Sequence, residues 1–385
     1  MTFLRYNLLA TKFNFNSVNM KRNLSWLFCW VTLIIIVDSC SKDKTIVKPV
    51  TTTNSNNPVT LGLYQYETDS GKRVFIPLTK VGTQTVNYYS VFDTGSSGMT
   101  LDAHGVIPAA MITSSGIQLT GDSVVVNGIT ITSQTGTMSY GNQTSLIKEY
   151  GNLAYAPITI GDQNGNTSIK RVPFFLYYKV FDVTNNKEIT VDHSLDIFGV
   201  GPGTSYVNSA IASPLTYFNA SSALSSGFKL AVLQVANFTT TGKYVAGLLN
   251  IGLTSADISS AGFIMHPLSN LGSGGYSPNI PSTITYGNQT ISANVLFDTG
   301  TPQVSIIENK LATTSTGQLP ANTTVTITTN MGFTYTYITT NTSNLTAVEN
   351  PNVTGDYRTI FGIDFFIKNE YLTDYTHHQI GLKNN

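Results

Sequence analysis

Short alternating runs of apolar and polar residues, cut by Gly, Asn and Pro, fill most of the chain after residue 60. A period of two sends alternate side chains to one face, so these runs predict half-buried strands. Val74 to Phe92 alternates and turns like a hairpin. Val124-Val125-Val126-Asn127-Gly128-Ile129-Thr130-Ile131 predicts another strand-turn-strand. Arg171 to Asp182 predicts a strand rich in Phe and Tyr. Pro214 to Asn237 is the best helical candidate, with Leu215, Phe218, Leu224, Phe228, Leu230 and Leu233 as its apolar positions.

Two stretches repeat one pattern. Val91-Phe92-Asp93-Thr94-Gly95-Ser96 and Leu296-Phe297-Asp298-Thr299-Gly300-Thr301 each set an Asp directly after two apolar residues. Each continues Thr-Gly and then a hydroxyl residue. The apolar pair predicts the end of a buried strand, and Thr-Gly the turn after it. A carboxylate there sits at the lip of a core, where burial and neighbours shift its pKa. Upstream, Gly82-Thr83-Gln84-Thr85 and Gly287-Asn288-Gln289-Thr290 stand at the same distance ahead of their Asp. Downstream, Ile197-Phe198-Gly199 and Ile360-Phe361-Gly362 complete each copy. This twofold internal repeat predicts two similar lobes, each offering one Asp. Asp298 to Gly362 is shorter than Asp93 to Gly199, so the second lobe is the trimmed one.

Composition narrows the classes. Charged residues are 11% and Gly is 32 of 385, which suits a β-rich extracytoplasmic protein. Lys+Arg and Asp+Glu balance at 21 each, so nucleic acid is not an evident partner. No zinc-type Cys/His spacing and no Gly-x-Ser-x-Gly occurs, so neither a metal nor a serine nucleophile is expected. His377-His378 predicts turn surface rather than a metal site, since neighbours on a strand point apart. No other cofactor is implied.

The only two Cys, Cys29 and Cys40, lie near the N-terminus, so no disulfide is expected in the folded part. Met20-Lys21-Arg22 opens a basic segment, and Leu24 to Val37 is an apolar run too short to span a bilayer comfortably. Met20 is a candidate true start. The run ends Val37-Asp38-Ser39-Cys40, which resembles a bacterial lipoprotein signal with Cys40 as the lipidated residue. Residues 41–60 are rich in Thr, Ser and Asn and predict a tether.

The repeat resembles the pepsin-like aspartic proteases, which carry Asp-Thr-Gly-[Ser/Thr] once per lobe. Ser139-Tyr140-Gly141-Asn142 is similar to the flap hairpin that follows the first motif. Asp196 to Gly201 is similar to the strand behind the first Asp, and Thr359 to Phe366 with Tyr371-Leu372-Thr373-Asp374 to the family's last strands. The resemblance implies an all-β, bilobal, pepsin-like aspartic protease fold, with a cleft between two β-barrel-like lobes and a few short helices. After the signal at 1–40 and the tether at 41–60, it divides the chain into a first lobe at 61–240 and a second at 241–385. It also implies an aspartic endopeptidase acting on polypeptide substrate and working as a monomer, and the Cys40 signal adds an anchor to a bacterial envelope membrane.

By the same resemblance, Asp93 and Asp298 are catalytic. Thr94 and Thr299 lock the two loops together, Gly95 and Gly300 let the backbone approach, and Ser96 and Thr301 hold the outer carboxylate oxygens. Tyr140, Gly141 and Asn142 line the substrate. Two departures from the family pattern touch substrate binding. Ser97-Gly98-Met99-Thr100-Leu101 holds no Trp to pair with the flap Tyr, and Pro302 stands where Ser is usual. These departures support an alternative: a catalytically weak or inactive envelope lipoprotein of the same fold that binds peptides or glycans.

Overall fold

A computed structural model describes residues 57–68, 71–142, 145–190, 192–218, 221–313 and 316–385. Cys40, the apolar segment before it and most of the tether lie outside the described residues.

The alternating runs form strands. Gly71–Val81 and Gln84–Asp93 pair as a hairpin whose two-residue turn starts at Gly82, with φ +60°. Ile280–Tyr286 and Gln289–Phe297 repeat the device with Gly287 at φ +52°. A left-handed first turn residue matches the right-handed twist of both strands, and Gly reaches it without steric cost. Asn127-Gly128 turns between Ser123–Val126 and Ile129–Asn142 as the sequence predicts. The Phe- and Tyr-rich strand runs from Gly165 to Asp182.

Among the described residues two large sheets form. One holds the strands around Asp93 and continues through Val59–Thr68, Lys243–Leu253, Ser225–Leu230, Asn369–Asp374, Gln379–Asn384 and Ile264–Pro267. The other is eight-stranded and holds the strands around Asp298. The first sheet therefore draws strands from both sides of residue 240. Its Ser225–Leu230 strand supports the site: Phe228 packs edge-on against Phe92, with ring centroids 5.6 Å apart. The chain is an all-β bilobal protein with only short helices.

The helix expected over Pro214–Asn237 does not form. That stretch is a 3-10 turn at Pro214–Tyr217, a strand at Ser225–Leu230 and a second 3-10 turn at Val235–Asn237. Ser225–Leu230 is held from both sides, by Lys243–Leu253 and Asn369–Asp374. Phe228 and Leu230 are both fully buried at strand spacing. At Gly227 a Cβ would lie 2.3 Å from Thr373 O, so the neighbouring strand needs a glycine there. Two flanking strands outweigh a weak helical period.

Candidate active site

Each Asp stands at the end of a strand braced by two others. Gln84–Asp93 runs parallel to Ile197–Val200, with Gly199 opposite Asp93. Ile197–Val200 pairs antiparallel with Ser97–Asp102 on its other side. Gln289–Phe297 runs parallel to Thr359–Phe361, and Ile360 pairs antiparallel with Ile306. Phe92 and Phe297 are buried, so the strand ends are pinned by their own apolar residues.

The two loops lock by exchange. Thr94 N donates to Thr299 Oγ1 and Thr299 N donates to Thr94 Oγ1, both at 3.0 Å. Thr94 Oγ1 donates to Phe297 O at 2.8 Å, and Thr299 Oγ1 donates to Phe92 O. All four bonds are buried, where an orphaned group would be costly. A Cβ at Gly95 would lie 2.5 Å from the Asp298 carboxyl carbon, and one at Gly300 would lie 2.7 Å from that of Asp93. Each glycine backbone thus lies directly against the other lobe's Asp.

Backbone and hydroxyl donors orient both carboxyls. Gly95 N, Ser96 N and Ser96 Oγ donate to Asp93 at 2.8, 3.1 and 2.7 Å. Gly300 N and Thr301 Oγ1 each donate to Asp298 at 2.7 Å. Burial, the Asp298 charge and a hydrogen bond between the two carboxyls push Asp93 above the usual carboxylate range. Two acids this close cannot both ionise, so the pair keeps one proton. One group can then act as base towards water while the other donates.

No protein-family model matches the chain, and no curated protein sequence matches it. Two solved structures align over most of its length. An aspartic proteinase from Irpex lacteus matches at TM-score 0.51 and 16% identity, covering 82% of this chain and 94% of that one. Basic 7S globulin from soybean matches at TM-score 0.53 and 12% identity, covering 85% and 96%. The chain has the pepsin-like fold. One neighbour is named as a proteinase and the other as a globulin, so the fold leaves activity to be argued from the site.

Tyr140 and Gly141 fall near the tip of the hairpin made by Ile129–Asn142 and Ser145–Asp162. Tyr140 packs against an apolar cluster with Met138 and Ile147, and lies near enough to feel the Asp93 charge. Gly141 takes φ +97°, and Asn142 ends its strand. Tyr286, in the same Tyr-Gly-Asn-Gln-Thr sequence, is a core residue whose Oη accepts from Asn309 Nδ2 at 2.7 Å. A separate cavity of about 760 Å³ in the second lobe, lined by Pro281, Glu308 and Tyr357, contains no part of the dyad.

Sequence reasoning missed Arg73 and Lys72. Arg73 Nη1 donates to Gly300 O at 2.9 Å; burial lowers its pKa from the ordinary guanidinium value, and the charges of Asp93 and Asp298 partly offset this. Lys72 N donates to Pro302 O at 3.1 Å, and its Nζ lies 3.3 Å from Asp364. Two adjacent basic residues in an otherwise sparsely charged strand were the available signal.

Proposed function

We propose that the protein is an aspartic-type endopeptidase, hydrolysing peptide bonds by water activation between Asp93 and Asp298. The observation that carries this reading is the facing of two oriented carboxyls, one of them raised by burial and by its partner, across interlocked loops. The ionised Asp takes the water's proton, and the protonated Asp donates to the carbonyl of the scissile bond. Tyr140 closes over an extended polypeptide as a flap and excludes water. Polypeptide is the substrate class, and one chain holds a whole site. A bacterial envelope location with lipidated Cys40 belongs to the same proposal and rests on sequence alone.

The test is cleavage of a mixed peptide library across acidic to neutral pH, with and without pepstatin. Pepstatin-blocked cleavage that disappears in Asp93→Asn supports the reading. Tight peptide or glycan binding without turnover favours the alternative of a binding lipoprotein, to which Pro302 and the globulin neighbour lend support. Near wild-type cleavage by Asp93→Asn or Asp298→Asn overturns the mechanism. Detergent partitioning of the exported chain, lost in Cys40→Ala, tests the anchor.

A further inference from the structure

One face of the Ile129–Asn142 and Ser145–Asp162 hairpin turns towards the body of the first lobe. Its register sets Met138 opposite Glu149 and Tyr140 opposite Ile147. Strand alternation puts these four side chains on that same face. Met138, Ile147, Phe175, Tyr177 and Val180 form an apolar cluster there, with Tyr140 packed against it. Glu149 is wholly buried, and neither of its carboxyl oxygens has a hydrogen-bond partner among the described residues. The Thr100 hydroxyl is also buried without a partner among the described residues. It lies close to both the Tyr140 phenol and the Glu149 carboxyl, without good hydrogen-bond geometry to either.

We propose that Glu149 is the positioning residue of the flap: its carboxyl, buried beneath the hairpin beside Thr100, keeps Tyr140 packed down on the dyad side. This rests on the protease reading only for its effect on turnover.

The groups facing Glu149 explain why it must be uncharged to do this. Asp102 comes from the Ser97–Asp102 strand, and Asp196 precedes the Ile197–Val200 strand. Both are acidic. Each of these acids already has a histidine beside it, with His193 Nδ1 2.8 Å from Asp196 Oδ2 and His104 Nδ1 2.7 Å from Asp102 Oδ1. The His193 Nε2 lies 2.8 Å from His104 O, a carbonyl that can only accept. Tyr177 Oη donates to Asp196 Oδ1 at 2.8 Å, so that phenol is spent as well. Burial and the charges of Asp196 and Asp102 hold Glu149 well above the usual carboxylate range. A neutral acid keeps an O–H that the Thr100 and Tyr140 oxygens can accept. A carboxylate must reach water, and Glu149 rides on the hairpin that carries Tyr140. Ionisation therefore lifts the flap.

The experiment follows backbone amide exchange over residues 138–149 from acidic to alkaline pH, corrected for intrinsic rates, in wild type and Glu149→Gln. Peptide hydrolysis is measured on the same preparations. In wild type, flap exchange should quicken about tenfold or more as pH rises, and KM should rise with a smaller change in kcat. Glu149→Gln stays neutral, so its flap protection and KM should hardly vary with pH. The same pH course in both proteins overturns the proposal. Should Glu149→Gln fail to fold, flap exchange that stays flat with pH in wild type overturns it, and exchange that rises supports it. Absence of peptide cleavage in wild type counts against the protease reading, and the exchange data then decide the flap by themselves.

Discussion

The two Asp-Thr-Gly loops share a sequence and differ in their anchorage. Asp93 is 8% exposed and takes three donors, whereas Asp298 is half-buried and takes two among the described residues. The first loop is tied within its own lobe: Gly201 N donates to Ser96 O at 2.7 Å, and Gly203 N to Ser97 Oγ at 3.0 Å. The second is tied by Ile363 N to Thr301 O at 3.0 Å, and then from across the interface by Arg73 and Lys72. Pro302 removes an N–H, yet its carbonyl remains and accepts from Lys72 N. The pseudo-twofold symmetry thus holds for the grip and breaks for the supports. Unequal supports make the two carboxyls inequivalent, although closeness alone is enough for a pair to keep one proton.

The largest effects should come from the carboxyls. Asp93→Asn and Asp298→Asn should each lower kcat/KM by about 10²–10⁴-fold or more. The double variant should be little worse than either single, as for groups acting as one unit. Additive losses would show two independent sites instead. Next in size are Gly95→Ala and Gly300→Ala, whose new Cβ atoms meet the opposite carboxyl. Each should lose about 10²-fold in kcat, the order expected of a misplaced catalytic group. A tolerated Gly300→Ala with an inactive Gly95→Ala would mean that the second loop yields where the first cannot.

Thr94→Val and Thr299→Val each keep the shape and leave a buried N–H of the other loop without its acceptor. Urea unfolding should show a loss of about 1–3 kcal/mol for each. A marked inequality between them would show that the grip is not symmetric.

Arg73→Met bears on the difference between the loops. The guanidinium favours ionised carboxyls, so its removal should move the acidic limb of the pH–rate profile upward by about one unit or less. An unmoved limb would reduce Arg73 to an anchor for Gly300 O. The smallest effect is expected at Glu308, which burial and the charges of Glu349 and Asp356 push up to about 8. A raised carboxyl lends stability below its unfolded pKa and loses it as pH climbs through the raised value. Glu308→Gln should therefore flatten the fall of Tm between about pH 4.5 and 8, and an unchanged fall there would count against the shift.

The site's own residues were readable because its parts are local. Two apolar residues, Asp, Thr and Gly specify strand end, carboxyl, grip and close approach within five positions, and the chain states them twice. Matched Gly-x-Gln-Thr turns fixed the feeding hairpins for the same reason. Arg73 and Lys72 escaped because their partners, Gly300, Pro302 and Asp364, lie more than two hundred residues away in sequence. The Ser225–Leu230 strand escaped because its flanking strands decide it and its own period does not. Glu149 left a fainter trace: Ile147 points inward and alternation carries Glu149 with it, but a charged residue beside Lys148 reads as surface until the fold is seen.

The sheet beneath the dyad also sets a timetable. Ser225–Leu230 gains its first neighbour only once Lys243–Leu253 has been made, and its second only with Asn369–Asp374. Pairings this distant close late and slowly, since a long loop must be ordered before they form. A nascent chain stopped before residue 369 would carry both Asp-Thr-Gly sequences, yet it would leave an open strand edge directly behind Phe92. A complete floor beneath the dyad thus depends on strands made after both Asp residues, although neither carboxyl belongs to them.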